Sequence, residues 1–165
     1  LRNRAMLETL FASGMRISEL INLKRVQLDP SGKIFIQGKG KKQRFIYLTA
    51  RAKNHIDKYL KTRDDDSPYV FIPKRGANAG DNTKPISPNY LQMKIKQYRE
   101  FLGITIPLSA HSLRHGFATY LAEHGANPAA IQILLGHESL ETTSRYVHTS
   151  DRYAEDSHRK FHPLK

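Results

Sequence analysis

Cysteine is absent from the 165 residues, which excludes a disulfide scaffold, an iron–sulfur site and any cysteine-built zinc site, and fits a reducing compartment. Also missing are an apolar run near the roughly 20 residues that span a bilayer and a charged-then-apolar leader. The expectation is a soluble, cytoplasmic protein with neither a membrane span nor a secretory signal. Acid is scarce: 15 Asp and Glu face 27 Lys and Arg, leaving a formal charge of +12. Such an excess points to a polyanionic partner.

The basic excess is local. Nine basic residues lie between Lys24 and Lys53, namely Lys24, Arg25, Lys33, Lys39, Lys41, Lys42, Arg44, Arg51 and Lys53, against the single acid Asp29. A membrane-surface helix would pair such charge with a broad apolar face. This run instead alternates as strands do, so nucleic acid is preferred to lipid. At 39% apolar and 25% charged, the chain suits one domain over residues 1–165. It opens inside a helical pattern without an initiator Met, as a domain excised from a longer chain would.

Leu7, Leu10 and Phe11 form the apolar face of the first helix, Gly14 suits its left-handed cap, and Ser18 can cap a short second helix through Leu23. Arg16 then falls in the joint between them. Lys33–Gln37 and Gln43–Leu48 read as a hairpin with lysines at its tip. Thr49 can cap a helix to about Thr62, and Pro73 to Pro88 reads as a long loop. Further helices are expected at about 88–102, at about 109–124 and at 128–135, the last opened by Asn127 and closed by Gly136. Ser139 can cap a short helix containing Tyr146. A polar tail helix over 150–161 would turn its apolar residues to something outside this chain. The predicted class is α+β, mainly helical with a small antiparallel sheet.

The segment from Ser109 to Gly125 holds the densest chemistry. At about 100° per residue, Leu113, Phe117, Tyr120, Leu121 and His124 share one side, and His111, Arg114, His115 and Ala118 share the other. His111 and Arg114 are therefore not expected in the core, and a solvated polar face is the plain alternative. His111 and His115 have a zinc-like i, i+4 spacing, but no Glu follows the first His and an Arg stands between them, so no metal is expected. A further cluster, Leu134-Leu-Gly-His137-Glu, precedes Tyr146 by nine residues counted from His137.

Together with Gly14-Met-Arg16-Ile-Ser-Glu19-Leu, Gly38-Lys39-Gly40 and His111-Ser-Leu-Arg114-His, this cluster resembles the tyrosine recombinase (phage integrase) family, in particular its Xer-like members. The likeness covers nearly the whole chain. Its spacings agree too: 23 residues from Arg16 to Lys39, three from His111 to Arg114, 23 from Arg114 to His137 and nine from His137 to Tyr146.

The resemblance implies a tyrosine-recombinase catalytic domain that cleaves and rejoins DNA through a 3′-phosphotyrosyl intermediate, with no cofactor. It also implies a separate N-terminal DNA-clamping domain absent from this chain, double-stranded DNA as partner, a tetramer on DNA joined through C-terminal tails, and a cytoplasmic, nucleoid-associated site of work. Residue chemistry argues for the same reaction. A phosphodiester under attack calls for forked, permanently charged donors, which Arg16 and Arg114 supply. His111 and His137 can add donors or move the phenol proton. Tyr146 is the nucleophile and Tyr153 its rival. Lys39 is the expected general acid, with plain phosphate contact as the alternative.

Glu19 is implied to orient Arg16 or a histidine, though an exposed helix-start acid is as plausible. Lys24, Arg25, Lys41, Lys42 and Arg44 are expected to contact the DNA backbone. Glu141 and Arg145 read as helix-surface residues. A type IB topoisomerase and a catalytically silent DNA-binding module are the alternative functions.

Overall fold

The computed structural model describes residues 1–37, 43–74, 76, 78–81, 83–136 and 154–164. The hairpin tip with Lys39, Lys41 and Lys42, and the segment carrying His137, Glu141, Arg145, Tyr146 and Tyr153, lie outside them.

Helix α1, Arg2–Ser13, ends at Gly14, whose φ of 62° and ψ of 18° put it in the left-handed region while its N–H bonds to the Leu10 carbonyl. Gly14 is required there for two reasons. Any side chain would be strained at that φ, and a Cβ would lie 2.5 Å from Phe117 Cδ1. Helix α2 covers Ile17–Ile21, shorter and earlier than a Ser18 cap predicts. The Glu19 carboxylate accepts the Arg16 backbone N–H at 2.7 Å and makes Arg16 the cap residue. At the other end Asn22 Nδ2 donates to the Ser18 carbonyl, taking the acceptor that a further turn would use.

Strands β1, Lys33–Gln37, and β2, Gln43–Tyr47, pair antiparallel with Ile34 opposite Ile46 and Ile36 opposite Arg44. Alternation turns Ile34, Ile36, Arg44 and Ile46 inward. Helices α3, Ala50–Leu60, and α4, Pro88–Phe101, are capped by Thr49 and Ser87; between Phe71 and Ser87 the described residues form no helix or strand. Helix α5, Ala110–Glu123, is capped by Ser109, and α6, Pro128–Leu135, runs from an Asn127 cap to Gly136 at φ 63°. The observed class is the mainly helical α+β fold expected, with a two-stranded sheet. Among the described residues no helix is long and apolar enough to cross a membrane.

Met6, Leu10, Met15, Ile34, Ile46, Ile56 and Phe71 belong to one buried cluster of α1, the hairpin and α3. A second joins Tyr47 to Phe117, Leu121, Leu134 and Ala154. Ala154 opens a helical segment, 154–161, whose Ser157 and His158 are buried with the following His162. The tail therefore packs on its own chain, against the expectation that it faces outward. His158 and His162 explain the difference: their rings lie against Phe117 and Phe11, and their Nε2 atoms donate to the carbonyls of Ala12 and Phe11 at the end of α1.

Candidate active site

Three chain reversals converge at one end of α5. The α1–α2 joint brings Arg16 and Glu19, β2 brings Arg44, and the α6 C-terminus arrives beneath Arg114. Arg114 is buried, contrary to the polar-face expectation. It lies seven residues before Leu121, a rotation of only about 20°, so it belongs to the inward stripe of Ala110, Phe117 and Leu121. Burial is tolerable because Nη1 donates to the Gly14 carbonyl and Nη2 to that of Leu135, two acceptors that helix ends leave without partners. The open backbone at Gly14 thus admits Phe117 and fixes Arg114 two residues from Arg16.

Arg16 is exposed and its Nη1 lies 3.2 Å from Glu19 Oε1. Glu19 is far from an exposed helix-start acid: only 6% of its side chain is accessible. Arg44 grips it with Nη1 on Oε1 and Nη2 on Oε2, both at 2.8 Å, while Arg44 Nε donates to the Leu134 carbonyl at 3.0 Å. Burial pushes the Glu19 carboxyl up, and the bonds from Arg44 and Arg16 more than reverse this, holding it below the usual carboxylate range. Burial, then the charges of Arg16 and Arg44, push the Arg114 guanidinium down to about 10. It remains cationic at neutral pH. Three guanidiniums around one carboxylate leave a positive cluster in a partly dry site, where an incoming anion gains the most.

Arg44 corrects the sequence expectation most sharply, because a side chain this buried and this fully paired does not track a DNA backbone. The signal for its true place was period two: Arg44 shares parity with the buried Ile46 and Leu48. Arg25 is half-buried and donates to Asp65 Oδ1 at 3.1 Å, a carboxylate it shares with Arg63, whereas Lys24 is exposed. His111 and His115 are exposed on the first turns of α5, the one about a turn before Arg114 and the other directly after it. Among the described residues no group of three or more His, Asp or Glu is placed to hold a metal ion.

The structure is thus a helical domain carrying a two-stranded sheet, with a guanidinium pair at the α1–α2 joint and the start of α5. The phage integrase family matches residues 1–152, and the chain belongs to that family. It is 39% identical over 165 residues to the tyrosine recombinase XerC of Rickettsia bellii (strain OSU 85-389), covering 100% of this chain and 53% of that protein. The chain therefore spans about half the length of the curated relatives it matches. Its fold is similar to the crystal structure of XerA recombinase, with a TM-score of 0.72 at 27% identity over 99% of this chain and 59% of the other. It is also similar to XerH site-specific recombinase bound to a palindromic difH substrate in a post-cleavage complex, with a TM-score of 0.69 at 27% identity over 92% of this chain and 41% of the other.

Proposed function

We propose that this chain is the catalytic domain of a site-specific DNA recombinase, working on double-stranded DNA in the cytoplasm without metal or ATP. The observation that carries the reading is the positive cluster of Arg16, Arg44 and Arg114 around Glu19, which holds two positive charges in excess and leaves Arg16 open to solvent. A scissile phosphate brings one negative charge to it and develops more as it is attacked. In the reaction the Tyr146 oxygen attacks phosphorus and forms a P–O bond as the bond to the 5′ oxygen breaks. The phenol proton passes to a histidine, His111 or His137, and Lys39 protonates the leaving 5′ oxygen. Arg16 and Arg114 hold the nonbridging oxygens while charge builds on them. Reversal by a 5′ hydroxyl from another strand reseals the backbone, so the phosphotyrosyl linkage conserves the bond energy.

The resemblance implies a further, N-terminal domain that completes a clamp around the duplex, and the relatives' greater length leaves room for one. A tetramer on DNA would require residues 154–164 to leave the α1–α5 surface and dock on a neighbouring copy. Lys24, Arg25, Lys41 and Lys42 remain the proposed backbone contacts.

The test is covalent capture on a library of nicked duplexes with randomised sites, read on a denaturing gel and followed by sequencing of the trapped strands. A protein–DNA band enriched for one sequence and lost in Tyr146→Phe is expected. No adduct, or one that survives Tyr146→Phe and vanishes only in Tyr153→Phe, overturns the assignment.

A further inference from the structure

Arg44 spends all three of its nitrogens inside the protein. The fork on Glu19 reaches α2, and Nε reaches the Leu134 carbonyl at the end of α6, so one side chain on β2 ties together the hairpin, the Arg16 joint and the turn at Gly136. Gly136 is shaped to this arrangement: a Cβ there would lie 2.8 Å from Arg44 Cδ and 3.2 Å from its Nε and Nη1. Glu19 in turn holds Arg16 twice, through the backbone N–H and through Nη1. Arg114 bonds the carbonyl of Leu135, next to the one held by Arg44.

We propose that Arg44 is a positioning residue for strand cleavage: by locking Glu19 and the α6 C-terminus together it holds Arg16 in register with Arg114, so that the phosphate clamp is formed before DNA arrives. This rests on the recombinase reading above. Preorganisation of this kind matters because donors that need not reorient stabilise developing charge at no reorganisation cost. A lysine in this place could not substitute, since a point charge cannot span two carboxylate oxygens and a carbonyl at once. Without Arg44, Glu19 would keep only its bonds to Arg16 and lose the fork that fixes its carboxylate, so the anchor of the Arg16 guanidinium would no longer be held in place.

The experiment measures single-turnover cleavage by wild type, Arg44→Met, Arg44→Lys and Arg16→Ala on a nicked duplex of the captured sequence. A matched duplex carries a methylphosphonate at the scissile position. Replacing one nonbridging oxygen by methyl removes the charge that the clamp neutralises, so a defect that acts through Arg16 is relieved on that substrate and a folding defect is not. On phosphate DNA Arg44→Met should cleave about 10²-fold more slowly, the scale on which small misplacements cost rate. The deficit should shrink to within about threefold on methylphosphonate DNA, the pattern of Arg16→Ala.

A variant combining Arg44→Met with Arg16→Ala should be no slower than Arg16→Ala alone, since residues acting as a unit are not additive. The salt slope of DNA affinity should stay at its wild-type value in Arg44→Met, because a buried guanidinium releases no counterions. Arg44→Lys should fall between, and it carries the test if Arg44→Met does not fold. Four outcomes overturn the proposal: wild-type cleavage by Arg44→Lys, an equal deficit on both substrates, additivity with Arg16→Ala, or a salt slope lowered by about one unit, which would make Arg44 a DNA contact after all. If the wild-type chain itself forms no adduct, the recombinase reading falls and this falls with it.

Discussion

Two clusters of basic side chains flank the end of α1, and both do the same structural work. On one side Arg114 and Arg44 donate to the carbonyls of Gly14, Leu135 and Leu134; on the other His158 and His162 donate to those of Ala12 and Phe11. Each satisfies acceptors that a helix terminus leaves open. They differ in what burial does to the charge. His162 accepts the Leu164 N–H at Nδ1 while Nε2 donates, which only the neutral ring can do, and burial pushes His158 down to about 4. Arg114, similarly buried, moves only to about 10 and keeps its charge. A buried imidazole sheds its proton and becomes packing, whereas a buried guanidinium has no such exit and remains a field waiting for an anion.

The contrast breaks most severely at Arg114. Arg114→Ala should slow strand cleavage by about 10³-fold, the upper range for losing one oxyanion donor, and also lower the melting temperature because two helix-end carbonyls lose their partner. Single-turnover rates and thermal melts check both effects. An unchanged rate in a folded variant removes Arg114 from the site.

The histidine side should fail with pH. Above pH 6.5 the ring is neutral folded and unfolded, so His158 adds no pH dependence there. As pH falls from 6.5 to about 4, the unfolded chain binds a proton that the folded chain refuses, and stability drops by about 3 kcal/mol at most. Urea unfolding of wild type and His158→Gln across that window tests this. Equal slopes in the two proteins would show that the loss arises elsewhere.

Between the clusters lies Gly14. Gly14→Ala should cost about 2 kcal/mol, from the left-handed backbone and the collision with Phe117, measured as a shift in the urea midpoint. A loss under about 0.5 kcal/mol would mean that α1 and α5 can separate cheaply, and both clusters with them. The smallest effect belongs to an exposed cation. Lys24→Gln should leave stability unchanged and lower the slope of log affinity against log salt by about one unit, in contrast to Arg44→Met. An unchanged slope takes Lys24 off the DNA.

Local signals were legible where local physics decides. The Gly14 and Gly136 caps, the Thr49 and Asn127 starts and the two paired strands all follow from φ preferences, capping hydroxyls and amides, and β-branched and aromatic enrichment, and the structure has each of them. The guanidinium pair at Arg16 and Arg114 was legible as chemistry. Its surroundings were not: Arg114 read as surface because a helical projection grouped it with His111 and His115, and Arg44 read as DNA contact because its neighbours in sequence are lysines. Charge pattern reports composition along the chain and is blind to which cation finds a buried acceptor.

What the sequence determined by itself is the set of elements, the basic stretch, and residue types able to hold and attack a phosphate, since each depends on covalent structure and neighbours a few positions away. Tertiary structure alone decided that Glu19 is gripped by Arg44 from 25 residues on, that Arg114 reaches a carbonyl 100 residues back, and that His158 and His162 close over α1 from more than 140 residues away. The physical reason is desolvation. Burying a charge or an imidazole is acceptable only where partners are already in place, and those partners are backbone carbonyls and one carboxylate that folding brings together and no local pattern announces.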